Sequence, residues 1–347
     1  MNRYRQAYRR ICAEIEIADA ETFRHRTLGR LQLTREIDAE PGAPVLSHLW
    51  RFLYLYYYAA DLAAATVLIN GSRTVVGIAD REDPDFVARL SAAHPSRWYT
   101  EPGWRVTVEP ADAVAGEFVV HRNGLSLTVT PQEVAGTDTP PRLGDTVSVR
   151  FPPERRYSNP GWYVAIGEAG LRRPGAPVVR LYYALSAADA APQFLAAVAS
   201  LLNERAVPFH LKVANHPDGF DRNDPVVVYL ARPDWDAHRG ALERLHAGFR
   251  ARLRDAGPCF AYRLDRGWSM AAEPTGAGAR GVSFGQHRCM LVAEGLLRGW
   301  SAGAPTVAER ERAILERLVE AGLDPDRPYL NPEPAADPES AVLAGSR

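Results

Sequence analysis

The sequence predicts an α+β protein, a mostly antiparallel sheet covered by helices, preceded by a helical region with a small β unit. Short runs such as VVRLYYALS (178–186) and DPVVVYLA (224–231) have the apolar content and alternation of strands. Longer segments such as WDAHRGALERLHAGFRARL (235–253) repeat their apolar residues at helical spacing. Between 103 and 150 the chain alternates and is punctuated by Gly, Pro and Asn, the pattern of a small antiparallel unit.

Residues 1–95 read as mostly helical. The apolar stretch 49–69, LWRFLYLYYYAADLAAATVLI, is long enough to raise a membrane span. Arg51 and Asp61 lie inside it, and its Tyr and Trp rings have polar tips, so a core helix is expected instead. Arg122-Asn123-Gly124 sits between two alternating runs and predicts a hairpin turn. The Pro, Gly and Thr-rich segment 133–145 is the expected linker.

Beyond it, strand 178–186 puts Arg180 and Tyr182 on one face. Ser186 and Asp189 suggest a capping box for a helix carrying Phe194, Leu195, Val198, Leu201 and Leu202. Strand VPFHLKVA places His210 and Lys212 on one face, and the next strand does the same for Val227 and Tyr229. Ser283 with Gln286, and Thr306 with Glu309, are capping boxes for two further helices, the second stopping near Gly322. The expected organisation is residues 1–140 as a helical and β region, 141–332 as the functional domain, and 333–347 as a disordered tail rich in Pro, Ala, Glu and Ser.

Composition bounds the function. The chain has 347 residues, a net charge of −1 and no long basic run, which argues against a nucleic-acid partner. Three scattered cysteines and nine histidines without ligand spacing give no disulfide framework and no metal site, and a cytoplasmic location is expected. The charged N-terminus shows no apolar core of a secretory signal, and no membrane partner is expected. GAGARG (276–281) matches a dinucleotide fingerprint by letter, but it follows Glu273-Pro274 rather than a strand, so no dinucleotide cofactor is expected, nor any other. The Asn70-Gly71-Ser72 sequon lacks a secretory context.

One residue stands apart. Lys212 is the single lysine among 41 basic residues, the rest being arginine. Arginine cannot lose its proton in a protein, whereas lysine can, so a lone lysine suits a task that needs a neutral amine. If the strands share a sheet with matching faces, Lys212 joins Arg180, Tyr182 and His210 in one polar group, and each member must then find a partner. Arg222 and Arg288 follow as further cations. His287 and Arg288 sit near the start of a helix, where the dipole disfavours cations, so a bound anion is expected there.

In order and spacing, RLYYALS, PFHLKVAN, DRNDPVVVYLARPDW, SFGQHRC and RPYLNP resemble the Hop-type (type III effector-like) family over roughly 140–332. Bacterial members of that family act as stand-alone lyases in class V lanthipeptide and thioamitide biosynthesis. A more distant similarity runs to the metal-independent phosphothreonine lyases of type III secretion. The resemblance implies β-elimination of phosphate from phosphoserine or phosphothreonine in a ribosomal precursor peptide, giving dehydroalanine or dehydrobutyrine. It implies Lys212 as general base and Tyr182 as acid, with His210 and His287 as rival acids. Arg180, Arg222, Arg288, His287 and Tyr229 would form the phosphate site. It further implies an aminoglycoside-phosphotransferase-like kinase acting in trans, with a cyclase as another candidate partner, and leader-peptide or kinase docking on residues 1–140. Two departures stand out: Tyr183-Ala184 replaces the family's frequent Trp-Asn, and the glycine-rich loop before SFGQHR is longer. A non-catalytic phosphopeptide-binding or scaffold protein is the alternative.

Overall fold

The structure, a computed structural model, describes residues 2–31, 44–71, 82–108, 116–136, 141–156, 158–172, 175–275, 279 and 281–332. Helix α1 (Arg3–Glu14) leads into a three-stranded sheet of β1 (Ile15–Ile17), β2 (Phe23–His25) and β3 (Gly29–Arg30). Helix α2 (Pro44–Leu53) runs into a π-helical turn, Tyr54–Tyr58, and is followed by α3 (Leu62–Ile69) and α4 (Pro84–Ala93). A five-stranded antiparallel sheet then forms from β4 (Tyr99–Val108), β5 (Phe118–Arg122), β6 (Leu125–Val129), β7 (Val134–Ala135) and β8 (Thr146–Phe151).

The remaining elements are β9 (Glu154–Arg155), β10 (Trp162–Ile166), β11 (Val178–Tyr183), α5 (Ala191–Asn203), β12 (Phe209–Ala214), β13 (Val226–Ala231), α6 (Arg232–Phe249), β14 (Tyr262–Asp265), β15 (Trp268–Ala272), α7 (Phe284–Ser301) and α8 (Val307–Glu320). Their strands build one seven-stranded sheet in the order β14-β15-β11-β13-β12-β10-β9, with every neighbouring pair antiparallel. The α+β expectation holds.

The period of two sorts this sheet into unlike faces. Leu211, Val213, Val228, Leu230, Leu181 and Tyr183 point one way and close a core against α4, α5 and α6. Each such large apolar side chain stabilises the fold by roughly 1.5–3 kcal/mol on burial. The opposite face carries His210, Lys212, Tyr229, Arg180 and Tyr182 in register: Arg180 lies across from Tyr229, which lies across from His210, while Tyr182 and Lys212 flank Val227. Part of that second face is covered by a core shared with α1, α2, α7 and α8; the rest is open.

Several local expectations hold for identifiable reasons. Asn123 and Gly124 adopt positive φ (50° and 81°) between β5 and β6, the two-residue hairpin turn that Asn-Gly favours. Ser283–Gln286 and Thr306–Glu309 form reciprocal capping boxes at α7 and α8.

Others are corrected. Residues 49–69 are not one helix: the backbone turns at Ala60 (φ 55°), and Asp61 starts α3 afresh by accepting the Ala64 N–H at 3.0 Å. Among the described residues no helix is long and apolar enough to cross a membrane. Residues 1–95 are helical but also hold β1–β3. Ser186 does not cap α5; its hydroxyl donates to the Arg252 carbonyl, and the helix opens instead with Pro192 in its first turn. The expected linker 133–145 contains β7, which pairs with β8, so the boundary placed at 140 falls between two strands of one sheet. Residues 137–140, Ser72, most of the glycine-rich loop and the tail after 332 lie outside the described residues.

Candidate active site

Two cavities open on the polar face. The inner one, about 440 Å³, is lined by Arg180, Tyr182, Tyr229 and Asp224 from the sheet and its loops, by Tyr54 and Tyr58, and by the start of α7 at Gly281–Ser283 and Gln286. The outer one, about 660 Å³, is lined by Arg155, Arg172 and His210 over an apolar floor of Val164, Ile166, Leu171 and Val178. Asn159, Lys212 and Glu273 line both and mark the junction.

Tyr229 organises the junction. Its ring stacks on His210 with centroids 4.1 Å apart and planes 12° from parallel. The Arg180 guanidinium lies 5.0 Å and the Lys212 ammonium 5.5 Å from the same ring's centre. Such cation–π contacts hold a charge without neutralising it. The Lys212 amine has no hydrogen bond or ion pair with a described residue, and its side chain is only partly exposed. Burial first, then the positive charge of Arg180, lower its pKa from 10.5 to about 8, with Glu273 opposing.

Arg180 is not free to grip a ligand alone. It is 7% exposed and pairs fork to fork with Glu273, one arm at 2.7 Å and the other shorter. Tyr182 is 2% exposed, and among the described residues its hydroxyl meets no hydrogen-bond partner, while Tyr58 packs edge-on against its ring at 6.4 Å. Burial raises its pKa. His210 is held neutral: burial, then Arg172, Lys212, Arg180 and Arg155, push its pKa well below the usual value. Its Nδ1 lies 3.3 Å from the Arg172 guanidinium, the only described partner of that arginine.

Arg222 and Arg288 differ from expectation. The partly buried Arg222 side chain is spent on carboxylates, Asp61 at 2.9 Å and Asp224 at 3.0 Å, with the Tyr54 hydroxyl at 3.3 Å. It borders a neighbouring cavity with Trp162 and Asn215, and neither of the two described above. Burial of the Asp224 carboxylate is tolerable because Arg222 pairs with it. Arg288, 1% exposed, donates to the carbonyls of Pro328 (2.6 Å) and Leu330 (2.8 Å). His287 sits against it, and burial and Arg288 lower its pKa to about 4. Neither residue lines either cavity of the site. Main-chain carbonyls thus occupy the Arg288 donors for which an anion was expected.

That substitution still serves the site. The strap that Arg288 holds continues to Asn331, whose amide donates to the Glu273 carbonyl, while Ala272 N–H donates to the Tyr329 carbonyl at 2.9 Å. Glu273 in turn holds Arg180. Gly285 lets α7 approach the π-helical turn: a Cβ there would stand 2.5 Å from the Tyr58 ring. The start of α7 is thereby brought against the inner cavity.

The model of the HopA1 effector protein family matches residues 154–330, just over half of the chain. The chain belongs to the HopA1 effector protein family. Two solved structures are similar. The effector protein from Pseudomonas syringae pv. syringae strain 61 shares 18% identity at a TM-score of 0.37, over 50% of this chain and 63% of that one, less than two thirds of its length. The effector protein from Pseudomonas syringae pv. tomato strain DC3000 shares 18% identity at a TM-score of 0.42, over 82% of this chain and 98% of that one. No curated protein matches.

The HopA1 segment contains all eight residues singled out from the sequence, and the structure brings Lys212, Tyr182, His210, Arg180 and Tyr229 together. The sequence reading missed Glu273, Asn159 and Arg172. It also missed Tyr54, Tyr58 and Asp61, which lie before the HopA1 segment yet reach the inner cavity or hold Arg222. The available signal was Asp61, a carboxylate inside an apolar run.

Proposed function

We propose that this protein is a carbon–oxygen lyase that eliminates phosphate from phosphoserine or phosphothreonine in a precursor peptide, with Lys212 as the general base. The observation that carries this reading is an amine with no carboxylate partner among the described residues, at the junction of two cavities, with a pKa lowered to about 8. A group poised there exchanges protons near neutral pH, as removal of a Cα proton requires. A cation kept only for binding gains nothing from a depressed pKa.

Two proton donors flank that amine. Tyr182 lines the inner cavity and His210 the outer one. Arg180, fixed by Glu273 and Tyr229, supplies standing positive charge that lowers the Lys212 pKa and offsets charge growing on a carbanion or a departing phosphate. A kinase of the aminoglycoside-phosphotransferase type would supply the phosphopeptide and a cyclase would consume the product. Residues 1–140 would serve docking. Incubating the protein with a phosphopeptide, without added metal, tests the reaction by mass spectrometry. Loss of one phosphoric acid supports elimination; recovery of the unmodified hydroxyl peptide means hydrolysis and defeats it. A peptide that binds and stays intact favours the non-catalytic phosphopeptide-binding alternative.

A further inference from the structure

The two cavities differ in how their positive charge is committed. In the inner cavity Arg180 spends both arms on Glu273, and Asp224 presents a second carboxylate beside it. Both carboxylates are already paired, Glu273 with Arg180 and Asp224 with Arg222, so apart from Lys212 at the junction the inner cavity offers an entering anion no uncommitted cation among the described residues. The start of α7 is already self-capped, the Ser283 hydroxyl on Gln286 N–H and the Gln286 amide oxygen on Ser283 N–H.

The outer cavity is the reverse. Arg172 donates to a neutral imidazole and to no described carboxylate. Arg155 donates to the Tyr99 hydroxyl, and its nearest carboxylate, Glu101, is 3.8 Å away. Glu273 also lines this space, but Arg180 occupies it. Arg172, Arg155 and Lys212 therefore form an underneutralised positive cluster around His210, which stacks on Tyr229.

We propose that Arg172 and Arg155 hold the phosphate of the phosphomonoester in the outer cavity, and that His210, rather than Tyr182, delivers the proton taken up by its bridging oxygen. The assignment rests on the lyase reading above. A dianion beside Arg172 draws that guanidinium off His210 and offsets the positive charges crowding the ring, so the imidazole gains a proton when substrate binds. In the reaction, Lys212 Nζ takes the Cα proton, the Cα–Cβ double bond forms and the Cβ–O bond breaks. The electron pair goes to the bridging oxygen, which takes the His210 proton and leaves as hydrogen phosphate. Solvent then restores both side chains. Two cations reaching for three phosphate oxygens suit bidentate guanidinium contacts.

Titrating the wild-type protein with inorganic phosphate while recording the His210 ring signals by NMR tests this separately from turnover. Phosphate is expected to shift those signals and raise the ring's pKa. Arg172→Gln is expected to weaken phosphate binding by about tenfold or more. Signals of His210 that ignore phosphate, or an Arg172→Gln protein that binds it equally well, overturn the proposal even if wild-type enzyme eliminates phosphate. Phosphate binding at Arg172 without elimination from a phosphopeptide keeps the anion site and retires the lyase chemistry.

Discussion

Lys212 and Glu273 meet at the junction of the two cavities without pairing: the carboxylate belongs to Arg180, and the amine rests over Tyr229. The arrangement makes the amine easier to deprotonate beside a fixed cation. A direct Lys212–Glu273 ion pair would protonate the amine and remove its use as a base.

The pH dependence follows. Only the neutral amine abstracts a proton, so kcat/KM should rise about tenfold per pH unit and level off near the Lys212 pKa of about 8. The stability contribution has a definite sign. The folded-state pKa lies below the ordinary 10.5, so burial of the ammonium costs most below about 8, and that cost is relieved as pH rises through the window up to 10.5. A pH–rate profile with no ascending limb in that region contradicts the assignment.

Glu273→Gln removes the one charge that raises the Lys212 pKa. The ascending limb is expected to move to lower pH. Thermal stability should fall as well, because Arg180 stays buried with its partner's charge gone. A limb that moves upward would mean that Glu273 works on something other than the amine.

Arg288→Ala separates structure from binding. Hydrogen bonds from charged donors contribute about 1.5–3 kcal/mol each, and this change removes two to the Pro328–Leu330 strap. The melting temperature should drop, while phosphopeptide affinity of the folded protein stays close to wild type. Arg288→Lys keeps the charge but not the fork and should be intermediate in stability. Affinity lost by about tenfold with stability intact would return Arg288 to the phosphate site.

The sheet and half of the site were legible because strand alternation is a local signal. Arg180, Tyr182, His210 and Lys212 sit on the expected faces, and antiparallel register brings the faces together. Partnering was not legible. Nothing in the residues around Arg222 says that it meets Asp61, 161 positions away, or that Arg288 meets carbonyls rather than an anion. Both depend on contacts far apart in sequence. Arg172 escaped notice because it lies between strands, where periodicity gives no direction.

The most direct test replaces Lys212 with arginine and follows a phosphopeptide by mass spectrometry. The variant keeps the charge and lacks a proton that can be surrendered. The expected result is bound, unconverted phosphopeptide, against loss of phosphoric acid in the wild type. Elimination by the Lys212→Arg protein at a rate near wild type would contradict the account.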